Sequence, residues 1–379
     1  MVNEDANPPS TFLRVSPTAL ESEDDMKVRI TLGVLLPLVA LAIGLTAASA
    51  HGLALGVEPA IVMDTVAPGN SIDVVKTIHT PEIPPKLGLF LLIDLSGSYA
   101  GDIVNIRAAD DGIFDSVRAS APDSRFGVGS FVDYPFSPWG FADTGDYGYQ
   151  RDQDLTTVKA TWTGAIDGLV VRFGGDGPES QYEGLYQAAT GAGRDVLPAG
   201  ASLGDIAGGL APSWRAEAAK VIAITTDAPF HTPGDSSCTS PSPPCPFAYP
   251  GPSRDDTVTA LNSVGIKVIA IKAPGSGAEM DDIAAATGGS VQTTGSSSAE
   301  IADAILLGLG NLPVTVSPSV ACDAGLSVGF DEASKVVISG EDVLFTETIK
   351  GQGDAAVYAV DFSGKASDPV FCLVPPPPQ

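Results

Sequence analysis

The chain has 379 residues, and 46 Asp and Glu against 20 Lys and Arg leave a net charge of −26. That balance excludes the basic footprint that nucleic acid requires and argues against docking on anionic lipid. A hydrophobic content of 44% permits a sizeable core, and the length suggests about two domains.

Residues 1–25 carry Glu4, Asp5, Glu21, Glu23, Asp24 and Asp25 against the single Arg14. Such a leader is odd before an export signal, so translation is expected to begin at Met26. From there the pattern is that of a secretory signal peptide. Met26-Lys27-Val28-Arg29 is a short basic start, Ile30 to Ala50 has no charge, and Ala48-Ser49-Ala50 is a small-x-small cleavage site. The apolar run is also long enough for a membrane span, but Pro37 and the small-residue ending favour cleavage. A secreted or cell-surface location is expected, with no membrane segment after cleavage. Four cysteines suit an exported chain. Cys238 with Cys245, and Cys322 with Cys372, is the pairing proposed among three, and the larger loop would be worth roughly 4 kcal/mol in the chain-entropy model.

Val57 to Thr80 reads as strand, turn, strand, with Ala60-Ile61-Val62, Pro68-Gly69-Asn70 and Ile72 to Val75. Apolar strands and amphipathic helices then alternate. Leu87 to Asp94 (LGLFLLID), Phe126 to Val132 (FGVGSFV), Lys220 to Thr226 (KVIAITT), Ile266 to Ile271 and Ser290 to Thr293 read as strands, the first as one buried on both faces. Helical patterns cover 102–119, 156–169, 179–190, 255–263, 280–286 and 299–309. This alternation predicts an α/β unit with a doubly wound, mainly parallel sheet. Leu312 to Leu373 has short runs split by Gly, Asp and Ser turns, as in a small antiparallel β-sandwich. The piece before residue 87 is too short to fold alone. The expectation is therefore one sandwich built from both flanks, with the α/β unit inserted. The boundaries are a leader and signal peptide at 1–50, sandwich at 51–86 and 312–374, the inserted unit at 87–311, and a Pro-rich tail at 375–379.

Chemistry is concentrated at two strand ends. Asp94-Leu95-Ser96-Gly97-Ser98 follows the first strand of the α/β unit. In open parallel sheets, ligands bind outside the carboxyl ends of the strands. One carboxylate and two hydroxyls are hard oxygen donors, suited to Mg²⁺ or Ca²⁺. Two of the three are neutral, so a bound ion would keep enough positive charge to accept an outside carboxylate. Thr225-Thr226-Asp227 ends the strand expected beside the first, and its acid can hold the same ion through water. The alternative is that Asp94 and Asp227 cap the helices that follow.

Four ordered segments, Phe90 to Ser98 (FLLIDLSGS), Phe126 to Pro135 (FGVGSFVDYP), Asp176 to Glu179 (DGPE) and Ile224 to His231 (ITTDAPFH), resemble the ligand-binding domain of integrin beta subunits, a von Willebrand A-type domain. The likeness runs from about Val57 to Gly310, and the split flanking sandwich is similar to the integrin beta plan. The resemblance implies a central Mg²⁺ held by Asp94, Ser96, Ser98 and Glu179, with Asp227 acting through water. It implies a neighbouring Ca²⁺ held by Asp133, Asp176, Glu179 and the carbonyl of Pro178. It also implies an alpha-type partner subunit, which nothing in the sequence specifies. Three departures stand out. Gly174 replaces an Asn ligand of the second site. A third site that uses two adjacent acids retains only Asp102, because its neighbour is Gly101. The ligand-selecting loop, here Phe136 to Tyr149, lacks its small disulfide. That loop carries Trp139, Phe141, Tyr147 and Tyr149, either as contact anchors or as residues that pack the loop onto the domain.

The function expected is an exported, cation-dependent adhesion or recognition module that binds a protein ligand through an exposed Asp or Glu carboxylate. The alternative is a structural surface or envelope protein with stabilising ions. An enzyme is not expected: His231 has no paired nucleophile and is read as a loop hydrogen-bonding residue. A metal-dependent hydrolase would need a general base among Asp227 and Glu179, which already hold ions.

Overall fold

The structure is a computed structural model, and it describes residues 56–59, 61–196, 204–232, 249–295, 300–322, 326–352, 356–361 and 370–373. The expected leader and signal peptide, the Cys238–Cys245 loop and the Pro-rich tail lie outside the described residues. No described helix is long and apolar enough to cross a membrane.

The elements run β1 Val57–Glu58, β2 Ile61–Val66, β3 Ser71–His79, β4 Lys86–Asp94, α1 Asp102–Ser120, β5 Asp123–Phe131, β6 Gln150–Thr156, α2 Lys159–Asp167, α3 Gln181–Thr190, β7 Ala219–Thr226, α4 Arg254–Val264, β8 Ile266–Lys272, α5 Glu279–Thr287, β9 Ser290–Thr293 and α6 Ile301–Gly310. Seven short strands follow: β10 Pro313–Val316, β11 Val320–Cys322, β12 Leu326–Phe330, β13 Lys335–Ile338, β14 Asp342–Gly351, β15 Ala356–Asp361 and β16 Val370–Leu373.

The central sheet has six strands in the order β6-β5-β4-β7-β8-β9. All neighbours pair in parallel except β5 and β6. This is the doubly wound α/β arrangement expected. β4 sits at its middle and is buried from Leu87 to Asp94. Alternate side chains of a strand point to opposite faces, and β4 uses both. Leu87, Leu89, Leu91 and Ile93 join a core with Ile106 and Phe114 of α1, Trp162 of α2 and Ile305 of α6. Phe90 and Leu92 join a second core with Leu185 of α3, Leu261 of α4 and Ile283 of α5. Each fully buried aliphatic or Phe side chain is worth about 1.5–3 kcal/mol, so a strand buried on both faces is held far more firmly than the loops at its end. Gly127 and Gly129 of β5 make room for Phe90, since a Cβ at either would stand 2.7 or 2.6 Å from its ring.

One strand departs from expectation. The segment Gln150 to Thr156 (QRDQDLT) is too polar to read as sheet, yet it forms β6, antiparallel at the sheet edge. The helix expected from Thr156 correspondingly starts at Lys159.

The flanking strands form two four-stranded sheets, β1-β3-β14-β12 and β11-β16-β15-β2, and a separate β10-β13 pair. Strands from before and after the central sheet are mixed in both: β3 pairs with β14 over nine residues, and β2 pairs with β15 over six. The turn at Pro68 to Asn70 therefore does not close a hairpin. It carries the chain from one sheet to the other, with Gly69 at φ 78° and Asn70 N–H donating to the Ala67 carbonyl. Val57, Val66, Leu326 and Ile349 form the small core between them. The expected all-antiparallel sandwich is corrected at one place: β11 and β16 run parallel, with Cys322 opposite Cys372 in the register.

Candidate metal centre

β4 ends on Asp94, and the chain turns at once. Asp94 Oδ1 accepts from the Ser96 N–H at 2.7 Å, and the Ser96 carbonyl accepts from the Tyr99 N–H, which starts the 3-10 turn leading into α1. This turn brings Asp94, Ser96 and Ser98 to one crevice. The Ser96 and Ser98 hydroxyls are 3.1 Å apart, and Ser98 Oγ donates to Asp227 Oδ1 at 2.9 Å. Thr226, the last residue of β7, donates from Oγ1 to Asp94 Oδ2 at 2.6 Å, and Gln181 Nε2 donates to Thr226 Oγ1 in turn. Asp94 and Ser96 are buried, while Ser98 is exposed and Asp227 half-buried, so the crevice opens toward solvent on the Ser98–Asp227 side.

Glu179 enters from the turn before α3. Its backbone is pinned beside the segment after β7: its N–H donates to the Pro229 carbonyl, and its carbonyl accepts from the His231 N–H, both at 3.0 Å. Its side chain is buried, and Oε2 has no hydrogen-bond partner. Gly174 lies directly against it at φ 72°, a backbone conformation that side-chain-bearing residues rarely adopt, and a Cβ there would stand 2.8 Å from Glu179 Oε1. The backbone as well as the composition thus disfavours an Asn ligand at this position.

The electrostatics are those of acids crowded without a counter-charge. Burial pushes Asp94 up to about 6, and the charge of Asp227 adds to it against the hydrogen bonds from Thr226 and Ser96. Burial, then the charges of Asp94, Asp133 and Asp176, hold Glu179 well above the usual carboxylate range against a hydrogen bond from Ser96. Asp227 is raised by burial and by Asp102, against the hydrogen bond from Ser98. Buried charges are ordinarily paired or bound to metal. An orphaned carboxylate oxygen, two further acids and two hydroxyls converging on one crevice fit a hard divalent cation.

A second cluster lies behind Glu179. Asp133 Oδ1 accepts from Ser180 Oγ at 2.8 Å and from the Tyr134 N–H at 2.7 Å. Its Oδ2 and Asp176 Oδ1 meet His231 Nε2 at 2.9 and 3.1 Å. The ring of His231 is buried and stacks on Tyr249, centroids 4.6 Å apart. Burial works against a charged imidazole, but Asp133 and Asp176 outweigh it and push His231 up to about 10.

The other expected residues divide. Pro178 sits half-buried in the turn between Asp176 and Glu179, and Asp102 stands at the start of α1, close enough for its charge to act on Asp227. In the loop, Trp139 and Tyr149 are buried, with Tyr149 Oη donating to the Leu210 carbonyl at 2.9 Å. Tyr147 is half-buried and bonds Ser130 at 2.7 Å. These three pack the loop onto the domain. Phe141 is exposed and pairs with the exposed Phe173, whose carbonyl accepts from the Gly97 N–H. Thr226 and Gln181 were not expected at the site, although Thr226 lies in the quoted Thr-Thr-Asp segment. His231 does hydrogen-bond, but within an acidic cluster and not merely in a loop.

No family model matches the chain. Over 159 residues, 39% of this chain, it is 28% identical to integrin beta pat-3 of Caenorhabditis elegans, and over 160 residues 24% identical to integrin beta-PS of Drosophila melanogaster. Those stretches cover 18% and 17% of the two proteins, so the chain spans under a fifth of the length of the curated relatives it matches. Among solved structures, a von Willebrand factor type A protein from Catenulispora acidiphila overlaps 84% of this chain and 72% of its own, at 12% identity and a TM-score of 0.39. The central unit is a doubly wound α/β sheet, and over part of its length its sequence is similar to those integrin beta chains.

Proposed function

We propose that the chain is an exported, cation-dependent adhesion or recognition module, with an A-type domain at 87–311 inserted in a sandwich built from 51–86 and 312–374. Mg²⁺ at the Asp94 crevice would supply a positive centre able to attract an exposed Asp or Glu carboxylate of a protein ligand. Asp94, Ser96, Ser98 and Glu179 would hold it, and Asp227 would act through water. The observation that carries this reading is Glu179 Oε2, buried without a partner among other acids. Asp133, Asp176, Glu179 and the Pro178 carbonyl would form the neighbouring site, occupied by Ca²⁺ in the resemblance, and fix the turn that carries Glu179. Asp102 would be the one acid left of a third site, whose second acid is replaced by Gly101. A partner subunit and a cell-surface or secreted location belong to the same reading. With Asp227 and Glu179 committed to holding ions, neither would serve as a general base, which favours a binding module over an enzyme.

The test is calorimetric titration of Mg²⁺ into chelator-stripped protein, beside Asp94→Ala, followed by binding of short Asp-containing peptides in Mg²⁺ and in EDTA. Saturable Mg²⁺ binding lost in Asp94→Ala, with peptide binding lost in EDTA, is the expected result. Mg²⁺ binding that raises thermal stability without any peptide binding would leave a structural surface protein as the better reading. No Mg²⁺ binding would refute both.

A further inference from the structure

The cluster behind Glu179 contains a donor that calcium does not favour. Asp133 Oδ2, Asp176 Oδ1 and His231 Nε2 lie within 4.8 Å of one another, and the two oxygens meet the same ring nitrogen at 2.9 and 3.1 Å. Two ligand atoms bound to one ion at about 2.1 Å, at a right angle, stand about 3 Å apart. Without an ion these contacts are His–Asp hydrogen bonds, and they bring the three ligand atoms close enough to converge on one small divalent ion.

Two of the three donors are also held in place from outside. The other oxygen of Asp133 is taken by Ser180 and by the Tyr134 N–H. The imidazole stacks on Tyr249, and the His231 backbone is pinned by its N–H donating to the Glu179 carbonyl. Beside the cluster stands Glu179, whose buried Oε2 has no partner and which feels the charges of Asp133 and Asp176. Gly174 offers no side-chain oxygen. The side-chain donors that remain are two or three carboxylates and one imidazole, beside the Pro178 carbonyl.

Ca²⁺ and Mg²⁺ are bound through oxygen, whereas imidazole suits Zn²⁺ and its first-row neighbours. We infer that Asp133, Asp176 and His231 form a nitrogen–oxygen site for a borderline first-row divalent cation, which binds Zn²⁺ in preference to Ca²⁺. The inference rests on the reading of this cluster as a second cation site, and it replaces calcium there. It makes the crevice a pair of unlike sites: an oxygen-only one open to ligand, and a buried one in which His231 selects the ion. Glu179 stands between them and can answer to both.

The test is titration of Zn²⁺ and of Ca²⁺ into the chelator-stripped full chain, with Mg²⁺ in excess to occupy the Asp94 crevice. One class of Zn²⁺ site at least tenfold tighter than Ca²⁺ is expected. It should weaken by more than tenfold in His231→Gln and persist in Asp94→Ala. Ca²⁺ binding tighter than Zn²⁺, or unchanged Zn²⁺ affinity in His231→Gln, would overturn the inference while leaving the Mg²⁺ reading intact. Should His231→Gln fail to fold, Mn²⁺ loaded into the wild type gives a separate readout. A directly bound ¹⁴N in its pulsed EPR spectrum supports the site, and a Mn²⁺-loaded chain without that coupling refutes it.

Discussion

Buried carboxylates in two regions of this molecule are treated in opposite ways. In the sandwich, Glu347 of β14 and Lys76 of β3 are both fully buried and face each other at 3.7 Å, with Lys76 Nζ donating to the Pro59 carbonyl at 2.6 Å. Burial drives the Lys76 pKa down and the Glu347 pKa up, and each partner's charge opposes the other's shift. The chain carries its own counter-ion there. At the end of the central sheet, the charges acting on Asp94, Glu179 and Asp227 are other carboxylates. A buried acid with a built-in cation has its charge opposed as folded, although neither oxygen of Glu347 has a hydrogen-bond partner. One surrounded by like charge is matched only when a cation arrives.

The largest effect that would break this contrast is expected in the sandwich. Removing one partner of a buried ion pair leaves the other charge uncompensated, which costs about 3–5 kcal/mol. Lys76→Ala should lose stability of that order in urea, and added Mg²⁺ should not restore it. Recovery of Lys76→Ala by Mg²⁺ would mean that the two regions are not the separate systems described.

The crevice should give the converse result, with a pH signature. A carboxyl whose folded pKa is raised binds a proton more tightly folded than unfolded. The stability it contributes is complete below its unfolded value and is lost as pH rises through the folded value. For Asp94, raised from 3.8 to about 6, the loss between pH 4 and pH 7 is about 2 kcal/mol at 1.36 kcal/mol per unit. Glu179 shifts in the same direction. Metal-stripped protein should therefore be more stable near pH 4.5 than at pH 7, and Mg²⁺ should reverse the order at pH 7. Urea midpoints that rise with pH in EDTA would contradict the assignment. A smaller effect follows from Asp94→Asn, which keeps the shape and removes the charge. It should stabilise the stripped chain at pH 7 by about 1–2 kcal/mol while abolishing the Mg²⁺ response.

Most of the α/β scaffold was legible because burial on both faces leaves a plain signal. Leu87 to Asp94 and Lys220 to Thr226 are nearly continuous apolar runs, and both appear where the pattern put them. β6 was not legible, because an edge strand half open to water needs no apolar run, and Gln150 to Thr156 has almost none. Nor could the sequence show that β2 and β3 part into different sheets, since a turn at Gly69 looks the same in a hairpin and in a crossover. At the site, the acids and serines were found through local spacing and resemblance. His231 and Thr226 were undervalued because their meaning depends on approach from distant segments. His231 meets Asp133 across 98 positions, and Thr226 meets Asp94 across 132.

The smallest expected effect on stability falls on the loop, where it separates packing from contact. Trp139 and Tyr149 are buried, so their loss would disturb the domain whatever the loop does outside. Phe141 and Phe173 are 38% and 62% exposed, and their rings pair at 5.8 Å beside the Gly97 turn. Exposed substitutions of this kind usually change stability by less than about 0.5 kcal/mol. Phe141→Ser and Phe173→Ser should therefore leave urea midpoints and Mg²⁺ affinity unchanged. If the pair is an anchor for whatever carboxylate the crevice accepts, the same variants should weaken binding of an Asp-Phe peptide several-fold more than that of an Asp-Gly peptide. Equal weakening of both, or none, would return the pair to the loop's own packing and leave the crevice to recognise its ligand by charge alone.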